Sequence, residues 1–469
     1  MTHDRDATPA APPPWGRWLP GNRWDLLAAE QPPLRTVSVV VTHFEQPEQL
    51  ARTLAALERQ TLPPTEVLVA DDGSREPPRV PDGVRLLRQE DRGFRAAAAR
   101  DLGARHATGE VLVFLDADTT PEPGFLEALT RLPRLAPDLL AVGRRRHADL
   151  AGVGPEVPVE EAGPAHELPE PAWLRDSYDR SRDLLDADDL SSRFVISAVL
   201  ACSRWWYAQV GGFDTGFSAY GGEDWELAHR SWLAGGLVAH VPDAVAWHDG
   251  PDAGAAPRGV KTRESVAVAG RIGVPGLAPH GLLGLGGRRV PVDRLLALPD
   301  DLDEGALLLV ADAALHADPG AHLLLGAAHA ELLAGEPRVV VREEVEQSGV
   351  VARGDADQSA EPGGRSALDA ALASPARVLV ELHQPWLLEP ADWRRLLRFT
   401  PLVADGVVTH LGAPGPVATS TSLRLVRRAR RWGEPDPAPV ETDLVGEPLP
   451  PTLTPESWWG GWGPGAPGA

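Results

Sequence analysis

Short apolar runs alternate with amphipathic stretches through the first quarter of the chain. Four runs rich in β-branched and aliphatic residues have the length of buried strands, at residues 37–41, 66–70, 85–87 and 111–115. Between them, leucine or alanine recurs at helical spacing, over 47–60 and 94–106. Almost wholly apolar strands that alternate with helices predict a parallel sheet covered on both faces. In such a sheet, ligands bind beyond the carboxyl ends of the strands.

Changes in composition along the chain set the predicted domain boundaries. Residues 1–35 are rich in proline and include three tryptophans, which predicts an irregular arm. From about residue 257 the chain turns to Gly, Leu, Ala and Pro, and its last part is rich in Pro and Gly with a tryptophan cluster. We therefore expect an arm (1–35), a first domain (36–256), a second α/β domain (257–432) and a tail (433–469).

Charge and cysteine content narrow the class of protein. The 45 basic and 67 acidic residues among 469 give a net charge of −22, which argues against nucleic acid or an anionic membrane as a partner. No apolar run approaches the roughly 20 residues of a membrane span, although peripheral membrane contact stays open. The first residues also lack the apolar core of a secretory signal. Cys202 is the only cysteine, which excludes an intrachain disulfide and favours a reducing, cytoplasmic location.

Acidic residues follow two of the predicted strands. Asp71 and Asp72 come directly after the second strand, and Asp116 and Asp118 come after the fourth. Because the carboxyl ends of parallel strands meet at one edge, both pairs should face one crevice. Carboxylates are hard oxygen ligands that suit Mg²⁺ or Mn²⁺ and leave positions for water and phosphate oxygens. Solvated carboxylates in strand-end loops are the alternative.

A glycine-rich acidic segment further along supplies a candidate base. The double glycines at 211–212 and 221–222 precede Glu223 and Asp224, which open a predicted helix. Glycine lets the backbone approach a ligand closely, and a carboxylate beside tryptophan in such a crevice can act as a general base. The helix dipole also favours acidic residues there, which is the structural alternative. His248 follows a later apolar run, where a neutral imidazole can complete a metal site or serve a structural role.

Together these segments resemble family 2 glycosyltransferases with the GT-A fold, the nucleotide-diphospho-sugar transferase fold. The matching segments occur in the order expected of that family and are VSVVVTHFEQ (37–46), VLVADDGS (67–74), the stretch 91–126 and GGFDTGFSAYGGEDWELAHRSWLAGG (211–236). The last segment is most similar to galactosyl- and N-acetylgalactosaminyl-transferring members. The resemblance therefore implies a GT-A domain followed by a second α/β domain.

On the donor side, the resemblance implies a nucleotide-sugar, UDP-hexose or UDP-N-acetylhexosamine. Thr42 and Asp71 would line the nucleobase pocket, with Asp71 accepting from a uracil N–H. Asp116 would lie near the ribose and the metal. Asp118 would ligate a Mn²⁺ or Mg²⁺ ion directly, and His248 would be a further ligand of that ion.

On the acceptor side, the resemblance implies that Asp224 is the catalytic base and that Glu223 positions the hydroxyl of a glycan or glycolipid. Arg100 would contact the donor, although Ala99-Arg100-Asp101 stands where the family often has Ala-Arg-Asn. The implied reaction is metal-dependent transfer of a hexosyl group with inversion of the anomeric configuration, with no covalent sugar–enzyme intermediate.

The second half of the chain aligns with the first. Three segments match in order: 306–310 with 37–41, 338–344 with 66–72, and 367–393 with 99–126. We expect a degenerate GT-A-like repeat. Because short strand–helix–strand units in an alanine-rich chain align easily, chance similarity is the alternative.

The alignment also predicts what the second copy has lost. His383 falls at the position of Asp116, Pro385 falls at that of Asp118, and Glu343-Glu344 replaces the first acidic pair. Proline cannot ligate a metal, so we expect no metal-bound nucleotide in the second copy.

Two other classes of protein stay open on the sequence alone. A nucleotidyltransferase would need a Gly-rich loop with a basic residue after the first strand, and residues 43–47 offer neither. A catalytically inactive glycan-binding protein would recognise sugars through its tryptophans. The presence of Asp118, Asp224 and His248 argues against that second alternative.

Overall fold

The structure is a computed structural model of the chain. It describes residues 12–218, 221–251, 265–268, 270–272, 274, 292–318, 320–342, 366–397, 406–412, 415–444, 447–450, 453 and 455. The chain divides into two compact units, with the division between residues 286 and 287. The predicted boundary at 256/257 lies outside the described residues. Three residues predicted to lie in the second domain, Val268, Ile272 and Val274, pack instead with Leu190 and Trp225 of the N-terminal unit.

One mixed sheet forms the centre of the N-terminal unit. In spatial order its strands are β3 (Val84–Arg88), β2 (Glu66–Asp71), β1 (Val37–His43), β4 (Val111–Asp116), β8 (Val199–Ser203), β6 (Leu139–Ala148), β9 (Leu237–Asp249) and β5 (Thr119–Pro121), with β7 (Glu167–Leu168) beside β6. The first four strands are parallel, which confirms the predicted parallel sheet. Strand β8 is antiparallel to β4 and β6.

Seven α-helices with defined bounds accompany these strands within the described residues, in addition to a helical stretch at 265–268. They are α1 (Pro47–Glu58), α2 (Ala96–His106), α3 (Phe125–Leu135), α4 (Val159–Ala165), α5 (Ala172–Arg180), α6 (Arg204–Gln209) and α7 (Glu223–Leu233). Helix α1 shows why the pattern predicted them: it begins at Pro47, whose missing N–H costs nothing in the first turn. Its leucines at 50, 54 and 57 form one buried stripe.

The described part of the arm, residues 12–35, contains one short 3₁₀ helix (Trp24–Leu27). Its main polar anchor is Asn22, whose Nδ2 donates to the carbonyl oxygens of Leu184 and Val238 and whose Oδ1 accepts from Val238 N. Leu19 and Leu27 are buried beside it. The arm is therefore part of the N-terminal core.

A second mixed sheet forms the centre of the C-terminal unit. Its strands, in spatial order, are β12 (Val339–Val341), β11 (Ala321–Leu325), β10 (Arg294–Ala297), β13 (Val378–Leu382), β16 (Gly415–Ser422), β15 (Val407–Gly412) and β17 (Pro439–Asp443). A separate pair joins β14 (Trp386–Leu387) to β18 (Glu447–Pro448). The helices are α8 (Glu304–Ala317), α9 (Ala327–Leu332), α10 (Ala367–Leu372), α11 (Pro390–Leu397) and α12 (Leu423–Arg431).

The second sheet repeats the strand order and directions of the first. Its register repeats too: Val111 of β4 lies opposite Ser203 of β8, and Val378 of β13 lies opposite Ser422 of β16. A helix begins directly after each serine. The second α/β domain is thus confirmed, and its topology is that of the first from β1 to β9.

The structure corrects two of the three aligned segments. Residues 306–310 lie in helix α8, and residues 339–341 form the third strand of the repeat instead of the second. The counterparts of β1 and β2 are β10 and β11. A short apolar run does not distinguish a buried strand from part of a buried helix, which explains the error. The third segment is aligned as predicted, and His383, after β13, bonds to Thr419 Oγ1 at 2.7 Å. Glu343-Glu344 lies outside the described residues.

Candidate active site

The carboxyl edge of the parallel strands brings Thr42, Asp71 and Asp116 together. Thr42 of β1 lies opposite Asp116 of β4, and the next residue of β1 lies opposite Asp71 at the end of β2. The hydroxyl of Thr42 is buried and has no hydrogen-bond partner among the described residues. An unsatisfied buried polar group costs about 1–3 kcal/mol, so this atom fits a place where a ligand binds.

Asp71 is fully buried, and both of its carboxylate oxygens are used within the chain. Oδ1 accepts from Ser74 Oγ at 2.5 Å and lies 2.8 Å from His43 Nδ1. Oδ2 accepts from Ser74 N at 3.1 Å and from Arg88 Nε at 2.9 Å. Burial raises the pKa of Asp71, but these hydrogen bonds outweigh burial and hold the pKa below its ordinary value. Asp71 therefore holds the loop after β2 in place. A nucleobase that bonded to Asp71 would share the carboxylate oxygens with these residues of the chain.

Arg100 on α2 joins two parts of the candidate site. Its Nη2 donates to Asp116 Oδ1 at 2.7 Å, and its Nη1 donates to Glu223 Oε1 at 2.9 Å. The side chain is 4% exposed. Burial alone lowers the pKa of Arg100, but the carboxylates of Asp116 and Glu223 raise it above its ordinary value, so the guanidinium is charged. Arg100 Nε and Glu223 Oε2 are buried without a partner among the described residues.

Asp118 and His248 form the candidate metal centre. His248 Nε2 lies 3.7 Å from Asp118 Oδ2, which also accepts from Gln46 Nε2 at 2.9 Å. His248 Nδ1 lies 3.1 Å from the carbonyl oxygen of Gly250. A carbonyl only accepts, so Nδ1 carries a proton, and Nε2 is the ring nitrogen that faces Asp118. In the described ranges, no group of three or more His, Cys, Asp or Glu side chains is arranged to hold a metal.

Glu223 and Asp224 open helix α7 after Gly222, whose φ of +90° is readily adopted only by glycine. Asp224 Oδ1 accepts from Trp225 N at 2.9 Å, and its Oδ2 lies 3.4 Å from Ser197 N. Burial and the neighbouring charge of Glu223 raise the pKa of Asp224 to about 7, against the opposing effect of Arg100. This side chain can therefore exchange a proton near neutral pH. Tyr220, earlier in the same segment, lies outside the described residues.

The structure thus places the predicted residues in three groups. Thr42, Asp71 and Asp116 lie at the carboxyl edge of the parallel strands, and Asp118 lies near His248. Glu223 and Asp224 form the third group, which Arg100 joins to Asp116. Residues that the sequence analysis did not single out also contribute, among them Gln46, Arg88 and Ser197. Gln46 falls within the first segment that resembles family 2, so its position carried a signal. Ser197 carried none, because its contribution is a backbone N–H.

The fold and this arrangement are those expected of a glycosyltransferase domain of the GT-A type, and two family models match this part of the chain. Residues 38–158 match the family model for glycosyl transferase family 2. Residues 186–246 match the model for the N-terminal domain of galactosyltransferase. The chain therefore contains a family 2 glycosyltransferase domain, and the resemblance found in the sequence is confirmed.

Individual relatives also match part of the chain. A hyaluronan synthase of Pasteurella multocida is 30% identical over 239 residues, which cover 46% of this chain and 24% of the synthase. A validoxylamine A glucosyltransferase of Streptomyces hygroscopicus subsp. limoneus is 33% identical over 219 residues, which cover 41% of this chain and 47% of that enzyme. The solved structure of GalNAc-T7 with UDP, GalNAc and Mn²⁺ has a TM-score of 0.37 at 19% identity, covering 46% of this chain and 44% of that one.

The alignments thus span less than half the length of these relatives. Within the part of the chain that the structure describes, no helix is both long enough and apolar enough to cross a bilayer.

Proposed function

We propose that the chain transfers a hexose or N-acetylhexosamine from a uridine diphosphate donor to a hydroxyl of a glycan or glycolipid, with a divalent ion and with inversion at the anomeric carbon. The observation that carries this proposal is the pair of ion pairs that Arg100 forms with Asp116 and Glu223. They join the carboxyl edge of the parallel strands, where the donor would bind, to the helix of the candidate base. The names of the hyaluronan synthase and the glucosyltransferase support sugar substrates. A cytoplasmic location belongs to the same proposal and rests on the single buried cysteine, Cys202.

Asp118 and His248 fit a divalent ion. One carboxylate and one imidazole with a defined tautomer supply two ligands, and diphosphate and water oxygens would take the remaining positions. Bound there, Mn²⁺ or Mg²⁺ would offset the negative charge that grows on the departing diphosphate. Thr42 and Asp71 would face the nucleobase from β1 and β2, and the unpartnered Thr42 hydroxyl supports that role.

Asp224 would act as the base for the acceptor hydroxyl. Its carboxylate takes the hydroxyl proton while the hydroxyl oxygen forms a bond to the anomeric carbon. The bond from that carbon to the diphosphate oxygen breaks in the same step, and the nucleoside diphosphate leaves with the electron pair. Attack opposite the leaving group inverts the anomeric configuration. Arg100 would hold Glu223 in place beside the acceptor, and Glu223 Oε2, which has no partner among the described residues, would accept from it.

Calorimetry of UDP binding to the full chain tests the donor half of the proposal. We expect the wild type to bind UDP at least tenfold more tightly with Mn²⁺ than with EDTA, and Asp118→Asn to lose that difference. Asp243→Asn is a matched control, because Asp243 is an exposed carboxylate on β9, the strand that carries His248. Affinity that is independent of metal in the wild type, or an Asp118→Asn variant that keeps the full Mn²⁺ effect, would contradict the metal assignment.

A further inference from the structure

Trp173 differs in its environment from the other tryptophans of the described chain. It is 50% exposed on helix α5, whereas each of the others is buried or only partly exposed. Its helix belongs to the segment between β6 and β8, which is outside the parallel half of the sheet. A half-exposed indole leaves a broad apolar face in contact with water, at a cost of about 25 cal/mol per Å².

The Trp173 ring is supported by a fixed aromatic neighbour. Its centroid lies 6.3 Å from that of Phe194, with 37° between the planes, and Phe194 is buried. Tyr178, on the same helix as Trp173, donates from its hydroxyl to the Phe194 carbonyl oxygen at 2.6 Å, which ties α5 to the 3₁₀ helix Ser191–Phe194. The Arg193 guanidinium lies 4.8 Å from the Phe194 centroid. Trp173 therefore lies beside a buried aromatic residue that is hydrogen-bonded through its backbone to the same helix.

The same segment reaches the candidate base. Ser197, three residues after Phe194, lies with its N 3.4 Å from Asp224 Oδ2. Burial raises the pKa of the Tyr178 hydroxyl, and the charges of Asp224 and Asp183 add to this effect against that of Arg145. The aromatic pair and the base are thus joined by a short, ordered piece of backbone.

We infer that Trp173, supported by Phe194, is a stacking subsite for a pyranose ring of the acceptor, beyond the sugar whose hydroxyl reacts. This inference rests on the proposed function and adds the class of acceptor: an oligosaccharide in place of a single sugar. A pyranose presents C–H groups on one face and hydroxyls around its edge, so it covers an indole face while its hydroxyls stay in water. Aromatic contacts of this size contribute about 0.5–1.5 kcal/mol beyond area burial, which corresponds to roughly a 2- to 12-fold change in affinity.

Transfer to matched short acceptors tests the inference. The probes are the methyl β-glycosides of galactose, glucose and N-acetylglucosamine, together with lactose, cellobiose and chitobiose, with UDP-hexoses and Mn²⁺. For the wild type we expect a lower KM for at least one disaccharide than for its monosaccharide. In Trp173→Ala, that disaccharide KM should rise about 2- to 12-fold, while kcat and the monosaccharide KM change less than twofold. Trp173→Phe should recover part of the effect. Leu26→Ala, which shortens another exposed apolar side chain of this unit, is the control.

The outcomes separate this inference from the proposed function. Metal-dependent transfer with equal KM values for wild type and Trp173→Ala would overturn the subsite and leave the function intact. If no donor is consumed, the proposed function fails, and saturation-transfer NMR with the three disaccharides then decides the subsite. Binding that Trp173→Ala weakens supports it, and absence of binding to the wild type overturns it. An unfolded alanine variant is detected by circular dichroism, and the phenylalanine variant then carries the comparison.

Discussion

Replacing Asp224 with asparagine removes the proposed base with almost no change of shape. A base with a pKa of about 7 makes kcat/KM rise with pH and level off above 7, with about one tenth of the plateau at pH 6. We expect Asp224→Asn to lower kcat/KM by about 10²–10⁴-fold at pH 8, the usual contribution of a general base, and to abolish the rise with pH. Binding of UDP with Mn²⁺ should stay within about threefold, because the contacts of Asp224 lie on the acceptor side.

The same substitution should stabilise the folded protein at high pH. An aspartate in the unfolded chain ionises near pH 4, whereas Asp224 ionises near 7 in the fold. The stability that its bound proton contributes is full below pH 4 and is lost as the pH rises through 7. Asparagine is neutral throughout and keeps an acceptor for Trp225 N, but it gives up the longer contact with Ser197 N. At about 1.4 kcal/mol per pKa unit over about three units, less one weak hydrogen bond, we expect a gain on the order of 3 kcal/mol at pH 8.

Urea unfolding at pH 8 and pH 4 measures this gain, and initial rates over pH 5.5–9 measure the loss of the base. At pH 4 we expect no gain. Asp243→Asn should change neither quantity, because the Asp243 carboxylate is exposed to solvent. A variant that is destabilised at pH 8, or one that keeps the pH dependence of the wild type, would refute the assignment of Asp224 as a buried base. In that case Glu223 would be the next candidate.

The other predictions concern buried ion pairs and the second sheet. Arg100→Gln should lower the free energy of unfolding in urea by about 3–5 kcal/mol, because it leaves two carboxylates without their cation. Arg105→Gln, which removes an exposed arginine paired with Asp101, should lower it by less than about 1 kcal/mol. Equal costs for the two variants would mean that the bridge contributes little. Asp71→Asn should destabilise the protein at pH 7, and the cost should shrink as the pH falls through the lowered pKa of Asp71 in thermal unfolding; a constant cost would argue against an ionised Asp71. His383→Ala should leave Mn²⁺ titrations unchanged, and a lost binding site would show that the C-terminal unit holds a metal.

The parallel half of the first sheet could be predicted because β1, β2 and β4 contain runs of mostly apolar residues, and β2 and β4 end in acidic turns. The same reasoning failed at residues 306–310, because an apolar run inside the long helix α8 has no feature of its own that separates it from a buried strand. The strand β10 that takes the corresponding place is only four residues long and begins with a charged residue, Arg294. The repeat was nevertheless recognisable from its third segment, where helix, strand, short strand and helix follow in the same order in both copies.

The candidate site could be predicted only in part, since sequence shows which residues are present but not which ones meet. Arg100 and Glu223 are 123 positions apart, and no periodicity links a residue of α2 to the first turn of α7. Asp101 stands where the family often has asparagine, so the sequence alone did not support a role for the neighbouring Arg100. In the structure, Asp101 bonds to Arg105 and Tyr207, and it does not engage the Arg100 side chain. The hydrogen bonds that occupy both carboxylate oxygens of Asp71 likewise depend on tertiary structure.

The measurement that tests the central claim most directly is the release of UDP from UDP-galactose, UDP-glucose and their N-acetylated forms by the full chain, with Mn²⁺ or with EDTA. The account predicts metal-dependent release from at least one donor by the wild type and by Asp243→Asn, and no release above background by Asp118→Asn. Release that is unaffected by EDTA and by Asp118→Asn, or none from any donor in the wild type with Mn²⁺ and the acceptor panel, would contradict it.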